Sequence, residues 1–375
     1  MIVLLSIVIT LSYLIIIGAF VYGFDKVKDF KLEKLSPKTQ FSILIPFRNE
    51  SENLPELLNS ISNLQYPKEL YEVILVDDAS KDKSVELIME FLANARNDIK
   101  VVSNERKTNS PKKDAITKAI SIAKNDWIVT TDADCILPKH WLNGFDEFIQ
   151  KTNAKCIVAP VVYETKNILL EKFQLLNILS LQSVTIGGFG IKKPFLCNGA
   201  NFAYTKELFI ALNGFEGNNN IASGDDIFFL EKAIKSHKDN VKYLKCHEAI
   251  VVTKPQKNWS DLISQNIRWA AKTSNYSNGL GKLTGFIVLL MNALIVTLLI
   301  FALLKIMSLK TFIYFLIIKF SVDFLLIYKA SIFFNQKRIL NSYPIAFLIY
   351  PFFSMCVAFL SVFKGYKWKG QAYNK

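Results

Sequence analysis

No charged side chain occurs between Met1 and Phe24, between Leu283 and Leu304, or between Ile339 and Phe363. Crossing a bilayer takes about 20 consecutive apolar residues. Thr311 to Tyr328 is a further apolar run, broken only by Lys319 and Asp323. Both ends of the chain are therefore expected to be membrane helices, because only helices and closed barrels satisfy their backbone in lipid. A cleaved signal peptide would want a basic region before the first run and a shorter apolar core. Nothing basic precedes this one, and Lys26, Lys28, Lys31 and Lys34 follow it. The positive-inside rule makes residues 1–24 an uncleaved anchor, with the next domain in the cytoplasm.

Residues 283–363 hold about three further segments. Lys319 and Asp323 stand four apart on one helix, where they can neutralise each other; a role in lipid or substrate passage is the alternative. Three crossings after a cytoplasmic domain leave the C-terminus outside. Yet the basic tail, residues 364–375, carries Lys364, Lys367, Lys369 and Lys375 and favours the inside. A re-entrant or interfacial segment would reconcile the two. Phe173 to Ile191 is also uncharged, but its Gln, Asn, Ser and Gly content reads as an interfacial amphipathic element rather than a span.

Composition excludes several classes. With 29 Phe and 14 Tyr the chain is not disordered. Its five cysteines are scattered without a CxxC pair, and its three histidines form no HExxH, so neither a zinc site nor a disulfide scaffold is indicated. The net charge of +13 first suggests nucleic acid. No nucleic-acid-binding signature accompanies it, however. The lysines flank the apolar ends, where they orient the chain and meet anionic lipid.

Residues 37–282 read as a globular domain. Short apolar runs at Phe41–Ile45, Val73–Val76, Lys100–Ser103 and Trp127–Thr131 alternate with helical patterns at Leu54–Leu64, Ser84–Ala95 and Ala115–Ala123. That alternation predicts an α/β domain with a parallel sheet covered on both faces. Ligands in such sheets gather at the carboxyl ends of strands. There stand Asp77-Asp78-Ala79-Ser80 and Asp132-Ala133-Asp134. Two acidic clusters on one edge repel each other unless a cation lies between them, and Mg2+ or Mn2+ shared with phosphates suits that place. Gly224-Asp225-Asp226 follows, before an apolar run; the plain reading is a pair of acids at a helix N-terminus. In Gln265-Asn266-Ile267-Arg268-Trp269, helical spacing sets Gln265, Arg268 and Trp269 on one face. That face is either an interfacial tryptophan or the wall of a pocket, with Arg268 on a phosphate.

The order DDxS, DxD, (E/D)D, QxxRW resembles the membrane-bound inverting glycosyltransferases of family 2. Further likenesses are Ile45-Pro46-Phe47-Arg48-Asn49-Glu50, Pro111-Lys112-Lys113-Asp114-Ala115-Ile116 against GKxxAL, Asn198-Gly199-Ala200-Asn201, and Trp368-Lys369-Gly370 against WKGR, with Gln371 in place of Arg. The resemblance implies a GT-A fold, Rossmann-like and nucleotide-sugar-binding, between N-terminal and C-terminal transmembrane helices. It also implies a hexosyltransferase of a bacterial inner membrane that uses a nucleotide-sugar, UDP ahead of GDP, and a divalent cation. By the same resemblance, Asp226 is the general base beside Asp225, where Glu is more frequent. Pro46, Arg48, Glu50, Asp77, Asp78, Lys112 and Asp132 face the donor, Asp134 and Asp132 hold the metal, and Gln265, Arg268 and Trp269 close the site. Few spans favour transfer of one sugar to a membrane lipid or lipid-linked acceptor. A processive polysaccharide synthase of the same family and a non-catalytic scaffold are the alternatives.

Overall fold

The structure is a computed structural model and describes residues 2–93, 99–166, 168–219, 221, 223–273, 277–363, 366–368 and 371–373. Ala95, the last residue of the expected helix Ser84–Ala95, and Lys364, Lys369, Gly370 and Lys375 of the tail, lie outside the described residues. Packing divides the chain into two compact units: residues 28–163 with 196–254, and residues 1–27, 164–195 and 255–375.

The first unit is built on a seven-stranded sheet in the order β3-β2-β1-β4-β8-β6-β9. Its strands are β1 (Phe41–Phe47), β2 (Tyr71–Asp77), β3 (Ile99–Ser103), β4 (Trp127–Thr130), β6 (Cys156–Val158), β8 (Phe202–Thr205) and β9 (Val241–Tyr243). A small sheet joins β5 (Cys135–Ile136), β10 (Val251–Thr253) and β7 (Val161–Tyr163). Helices α2 (Leu54–Ser62), α3 (Ser84–Ala93), α4 (Pro111–Ile122), α5 (Trp141–Lys151), α7 (Lys206–Ala211) and α8 (Asp225–His237) complete it. As the apolar runs predict, β1 to β4 are mutually parallel; β1, β2 and β4 are almost wholly buried, and β3 is only partly so. Two details differ from expectation. Strand β1 continues through Pro46, which is tolerated because pairing with β4 stops at Leu44, before the missing N–H matters. And the sheet is mixed, since β8 runs antiparallel to both β4 and β6.

The segment leading into β1 is strapped to α5. Asp146 Oδ1 accepts from the backbone N–H of Lys38 and Thr39, and Glu147 accepts from those of Glu33 and Leu35. At the foot of the sheet, Glu72 accepts from Ser42 Oγ at 2.8 Å, Lys100 Nζ at 2.8 Å and Lys124 N at 2.6 Å.

The second unit is helical: α1 (Ile2–Lys26), α6 (Leu169–Gly190), α9 (Trp259–Thr273), α10 (Gly279–Leu303), α11 (Leu309–Phe333) and α12 (Tyr343–Phe363), with a terminal hairpin of β11 (Tyr366–Trp368) and β12 (Gln371–Tyr373). Four of its described helices are long and apolar enough to cross a membrane: α1, α10, α11 and Lys337–Phe363. Lys319 and Asp323 pair at 2.6 Å, as their spacing predicts, and Tyr13 on α1 donates to the same carboxylate. The expected amphipathic element at 173–191 is instead α6, buried around its circumference against α1 and α11. It carries no polar face because its polar groups are satisfied inside: Ser183 Oγ bonds Leu326 O, and Gln174 exchanges hydrogen bonds with Gln256. Glycines let α6 touch α1 backbone to backbone. A Cβ on Gly190 would lie 1.7 Å from Gly23 O, and one on Gly187 2.5 Å from Phe20 O.

Two outcomes follow from this packing. Gly190→Ala will lower the melting temperature in detergent. Gly18→Ala, whose added methyl meets nothing within 4 Å, will not. Burial alone would raise the Glu72 pKa, but the hydrogen bonds from Lys100, Lys124 and Ser42 outweigh it and set it below the usual carboxylate value. A lowered carboxylate stabilises above its unfolded pKa and loses that contribution as pH falls through the folded one. Glu72→Gln will therefore flatten the acid side of the stability profile, measured by thermal melts between neutral pH and pH ~3.

Candidate active site

The carboxyl ends of β1 and β2 lie side by side, Phe47 in register with Asp77. The chain then turns so that Asp78 N–H donates to Phe47 O at 2.9 Å and Ser80 N–H to Asp77 Oδ1 at 3.0 Å. Asn49 and Ala79 both take left-handed backbone, φ 52° and 56°. Asn49 N–H donates to Ser80 Oγ, and Lys81 N–H to Asn49 Oδ1, which fastens the two loops together. Glu50 is buried beneath them and accepts from Asn53 Nδ2 at 2.6 Å.

Asp78 is the most heavily held of these acids. Arg106 grips it with both prongs, Nε and Nη2 each 2.7 Å from a carboxylate oxygen. Asn104 Nδ2 adds a hydrogen bond at 2.8 Å, and Arg48 Nη1 donates to the Asp78 carbonyl at 2.8 Å. Such forked, charge-assisted contacts are the strong ones. Sequence reasoning missed Asn104 and Arg106. They follow β3 directly at its carboxyl end, so the rule that exposed Asp77 and Asp132 pointed to them as well.

Helix α4 begins four residues earlier than its apolar spacing indicates, with Pro111 in its first turn. Three consecutive side chains there reach three different segments. Asp114 accepts from Lys107 N and Thr108 N, each at 2.9 Å, and shapes the loop after β3. Lys113 is 1% exposed and donates to Asn218 O and Ile221 O. Lys112 lies 2.7 Å from Asp132 Oδ1 and 3.3 Å from Asp225 Oδ2. Burial opposes the charge on Lys112, but the carboxylates of Asp132, Asp225 and Asp226 outweigh it and hold the ammonium well above the ordinary lysine range.

The inverted β8 matters here. Because it runs against β4, its beginning lies at the edge where β4 ends, with Phe202 opposite Thr130. Thr130 Oγ1 donates to Gly199 O at 2.8 Å, and Gly199 N–H to Asp226 Oδ2 at 2.9 Å. A Cβ on Gly199 would press on Asp225 Oδ2 at 3.2 Å and on Lys112 Nζ at 3.5 Å. Gly224 opens α8 with φ 84°, a conformation glycine adopts freely, and puts Asp225 and Asp226 in the first turn.

Residues 42–212 match the family model described as glycosyl transferase family 2. They form a family 2 glycosyltransferase domain. Among similar curated proteins, a poly-beta-1,6-N-acetyl-D-glucosamine synthase of Staphylococcus epidermidis is 33% identical over 127 residues, 32% of this chain and 29% of that protein. A beta-monoglucosyldiacylglycerol synthase of Trichormus variabilis is 25% identical over 155 residues, 40% of this chain and 33% of that protein. The chain thus spans a third or less of the length of either relative. Among solved structures, the mannosyltransferase PcManGT of Pyrobaculum calidifontis, in complex with GDP-Man and Mn2+, superposes with a TM-score of 0.59 at 15% identity. That match covers 93% of this chain and 99% of that one, and shows the GT-A fold.

Within the glycosyltransferase domain, the structure brings Lys112, Asp132, Asp225 and Asp226 together, and Arg48 with Asp78. Pro46 stands at the end of β1 beside Val76. Gln265, Arg268 and Trp269 belong to α9 of the helical unit; each is half-buried, and Gln265 Oε1 is buried without a hydrogen-bond partner among the described residues. Asp134 follows the turn out of β4, half-buried. Among the described residues no three His, Cys, Asp or Glu side chains gather into a closed cage. The acids expected to hold a metal are Asp134 and Asp132, the latter with its side chain 36% exposed. Two carboxylates of this kind fit a hard cation that keeps water and phosphate oxygens as its other ligands. They do not fit a four-coordinate structural zinc.

Removing the Lys112 ammonium from beside Asp132 and the buried Asp225 should be costly. Lys112→Met will remove the ammonium beside the buried Asp225 carboxylate and destabilise the domain by roughly 3 kcal/mol, read as a melting shift of several degrees. Lys112→Met with Asp225→Asn will recover most of it.

Proposed function

We propose that the protein is a membrane-bound hexosyltransferase that moves one sugar, with inversion, from a nucleotide-sugar to a membrane lipid or lipid-linked acceptor. The reading rests above all on one observation: three acids from two separate segments, Asp132 after β4 and Asp225 and Asp226 on α8, surround a single lysine at the carboxyl edge of a GT-A sheet. The likeness to a glucosyldiacylglycerol synthase and the four apolar helices support a lipid acceptor. The catalytic domain then faces the cytoplasm of a bacterial inner membrane, the side on which the lysines after α1 fall under the positive-inside rule.

In this reading Asp77, Asp78, Arg48 and Arg106 hold the nucleoside, UDP ahead of GDP, with Pro46 and Glu50 shaping the floor. Asp134 and Asp132 hold Mg2+ or Mn2+, which when bound supplies positive charge to the departing diphosphate. Lys112 brings protein charge to the same oxygens. Asp226, kept in place by the Gly199 N–H, takes the proton of the attacking acceptor hydroxyl through its remaining lone pairs. Asp225 stays paired with Lys112. The hydroxyl oxygen bonds to the anomeric carbon as the bond to the diphosphate breaks on the opposite face, so no enzyme nucleophile is needed. Gln265 and Trp269 act with Arg268 on the acceptor side. A processive polysaccharide synthase is the second reading, favoured by the likeness to the Staphylococcus epidermidis synthase; product length separates the two.

Nucleotide release by the purified protein in detergent tests this. The assay offers UDP- and GDP-sugars with Mg2+ or Mn2+, with and without membrane lipid. One donor should be consumed in a metal- and lipid-dependent way. Asp226→Asn should bind that donor normally and lose ~10²–10⁴ in rate, whereas Asp134→Ala should weaken donor binding in metal. Equal loss of donor binding in Asp226→Asn would remove the base assignment, and metal-independent turnover would remove the metal.

A further inference from the structure

Lysine 113 is fully buried, yet the chemistry above does not use it. Its ammonium donates to Asn218 O at 2.6 Å and Ile221 O at 3.0 Å, and stands 5.1 Å from the centre of the Phe228 ring on α8. Burying an ammonium is expensive unless acceptors surround it, so a lysine kept at 1% exposure must be gathering those carbonyls. They belong to the stretch between α7 and α8. Its described residues have little regular structure and include four positive φ angles, at Asn213, Gly214, Gly217 and Gly224. Its other end is gripped in the same manner by Lys232 of α8, which donates to Leu212 O and Gly214 O. Two lysines thus hold one loop through its carbonyls, and the grip of Lys113 falls immediately before the turn carrying Asp225 and Asp226.

We infer that Lys113 is a positioning residue: by fixing Asn218 and Ile221 against α4 and packing on Phe228, it sets the first turn of α8 and the direction in which the Asp226 carboxylate faces. This rests on the reading of Asp226 as the base. The neighbouring Lys112 sets that turn by charge, and Lys113 sets it by shape. A loop released from Lys113 leaves the donor groups on β1 to β4 in place and displaces only the acceptor-activating carboxylate.

The test is Lys113→Met in the full-length protein, with Lys113→Arg as the conservative variant. Lys113→Met should lose about tenfold to a hundredfold in kcat, the scale of a small misplacement, with donor KM within twofold. Lys113→Arg should recover part of that loss. Hydrogen exchange on the protein alone should quicken in residues 213–228 and stay unchanged in β1 to β4. Unchanged kcat, a parallel loss of donor affinity, or faster exchange throughout the sheet would each overturn the inference. If Lys113→Met does not fold, Lys113→Gln carries the same readouts. If the wild type turns over no donor, the functional reading fails separately, and exchange in 213–228 still decides whether Lys113 sets the turn.

Discussion

Like charges crowded at one edge of a sheet have to be reconciled before anything else at that edge can be arranged. Here Lys112 reconciles them, 2.7 Å from Asp132 and 3.3 Å from Asp225. At such distances and an effective dielectric of about 20, each contact contributes on the order of 4 kcal/mol before desolvation is counted. Without it, the carboxylates of Asp132 and Asp225 would repel each other across the edge. Its neighbours extend the effect: Lys113 draws in the loop before α8, and Asp114 draws in the loop after β3. The first turn of α4 is therefore the point from which the rest of the edge is placed. Proline at its start suits that duty, because its backbone angle is set before the helix forms.

The inverted strand has the same kind of consequence. A parallel β8 would begin at the opposite edge and take Gly199 away with it. Running antiparallel, it delivers Gly199 beside Thr130, and the Gly199 N–H then holds Asp226. Glycine at that position also lets Lys112 and Asp225 approach, since the space a Cβ would need is occupied by their charged atoms. The Asn198-Gly199-Ala200-Asn201 motif is thus a hinge between sheet and site. Asn198 caps Ala200, and Asn201 is locked by Trp141, Pro160 and Ala249.

Much of this was legible in the sequence, for definite reasons. Strands buried on both faces read as unbroken apolar runs, so β1, β2 and β4 were plain, and so were the acids that end them. The direction of β8 was not, because Phe202 to Thr205 is too short to carry a pattern and direction depends on the connection, not the composition. Arg106, Asn104 and Lys113 were hidden for another reason: charged and amide residues in loops usually face water, and only their distances to Asp78 and to the loop carbonyls reveal their work. Lys112 showed the reverse. In the sequence it is one lysine of a short motif, and in the structure it stands 2.7 Å from Asp132 and 3.3 Å from Asp225.

Hydropathy separates residues that tolerate lipid from those that do not, but it does not say which of them meet lipid. Helix α6 illustrates the difference. It is less apolar than the four spanning candidates and more completely buried, with Gln174, Gln182, Ser183 and Thr185 all inside. Helix α1 is among the most apolar and leaves Leu4, Leu5 and Ile15 largely exposed. Polar residues are tolerated in the interior of such a unit where they find a fixed partner, as Ser183 does on Leu326 O and Lys319 does on Asp323. In hydrocarbon they would find none. Glycine completes the reasoning: at Gly187 and Gly190 the helices meet along their backbones, where there is room for no side chain at all. The uncharged stretch at 173–191 is polar in composition because it is the centre of its unit, and a sequence pattern built on water on one side and core on the other could not have distinguished that centre from a surface.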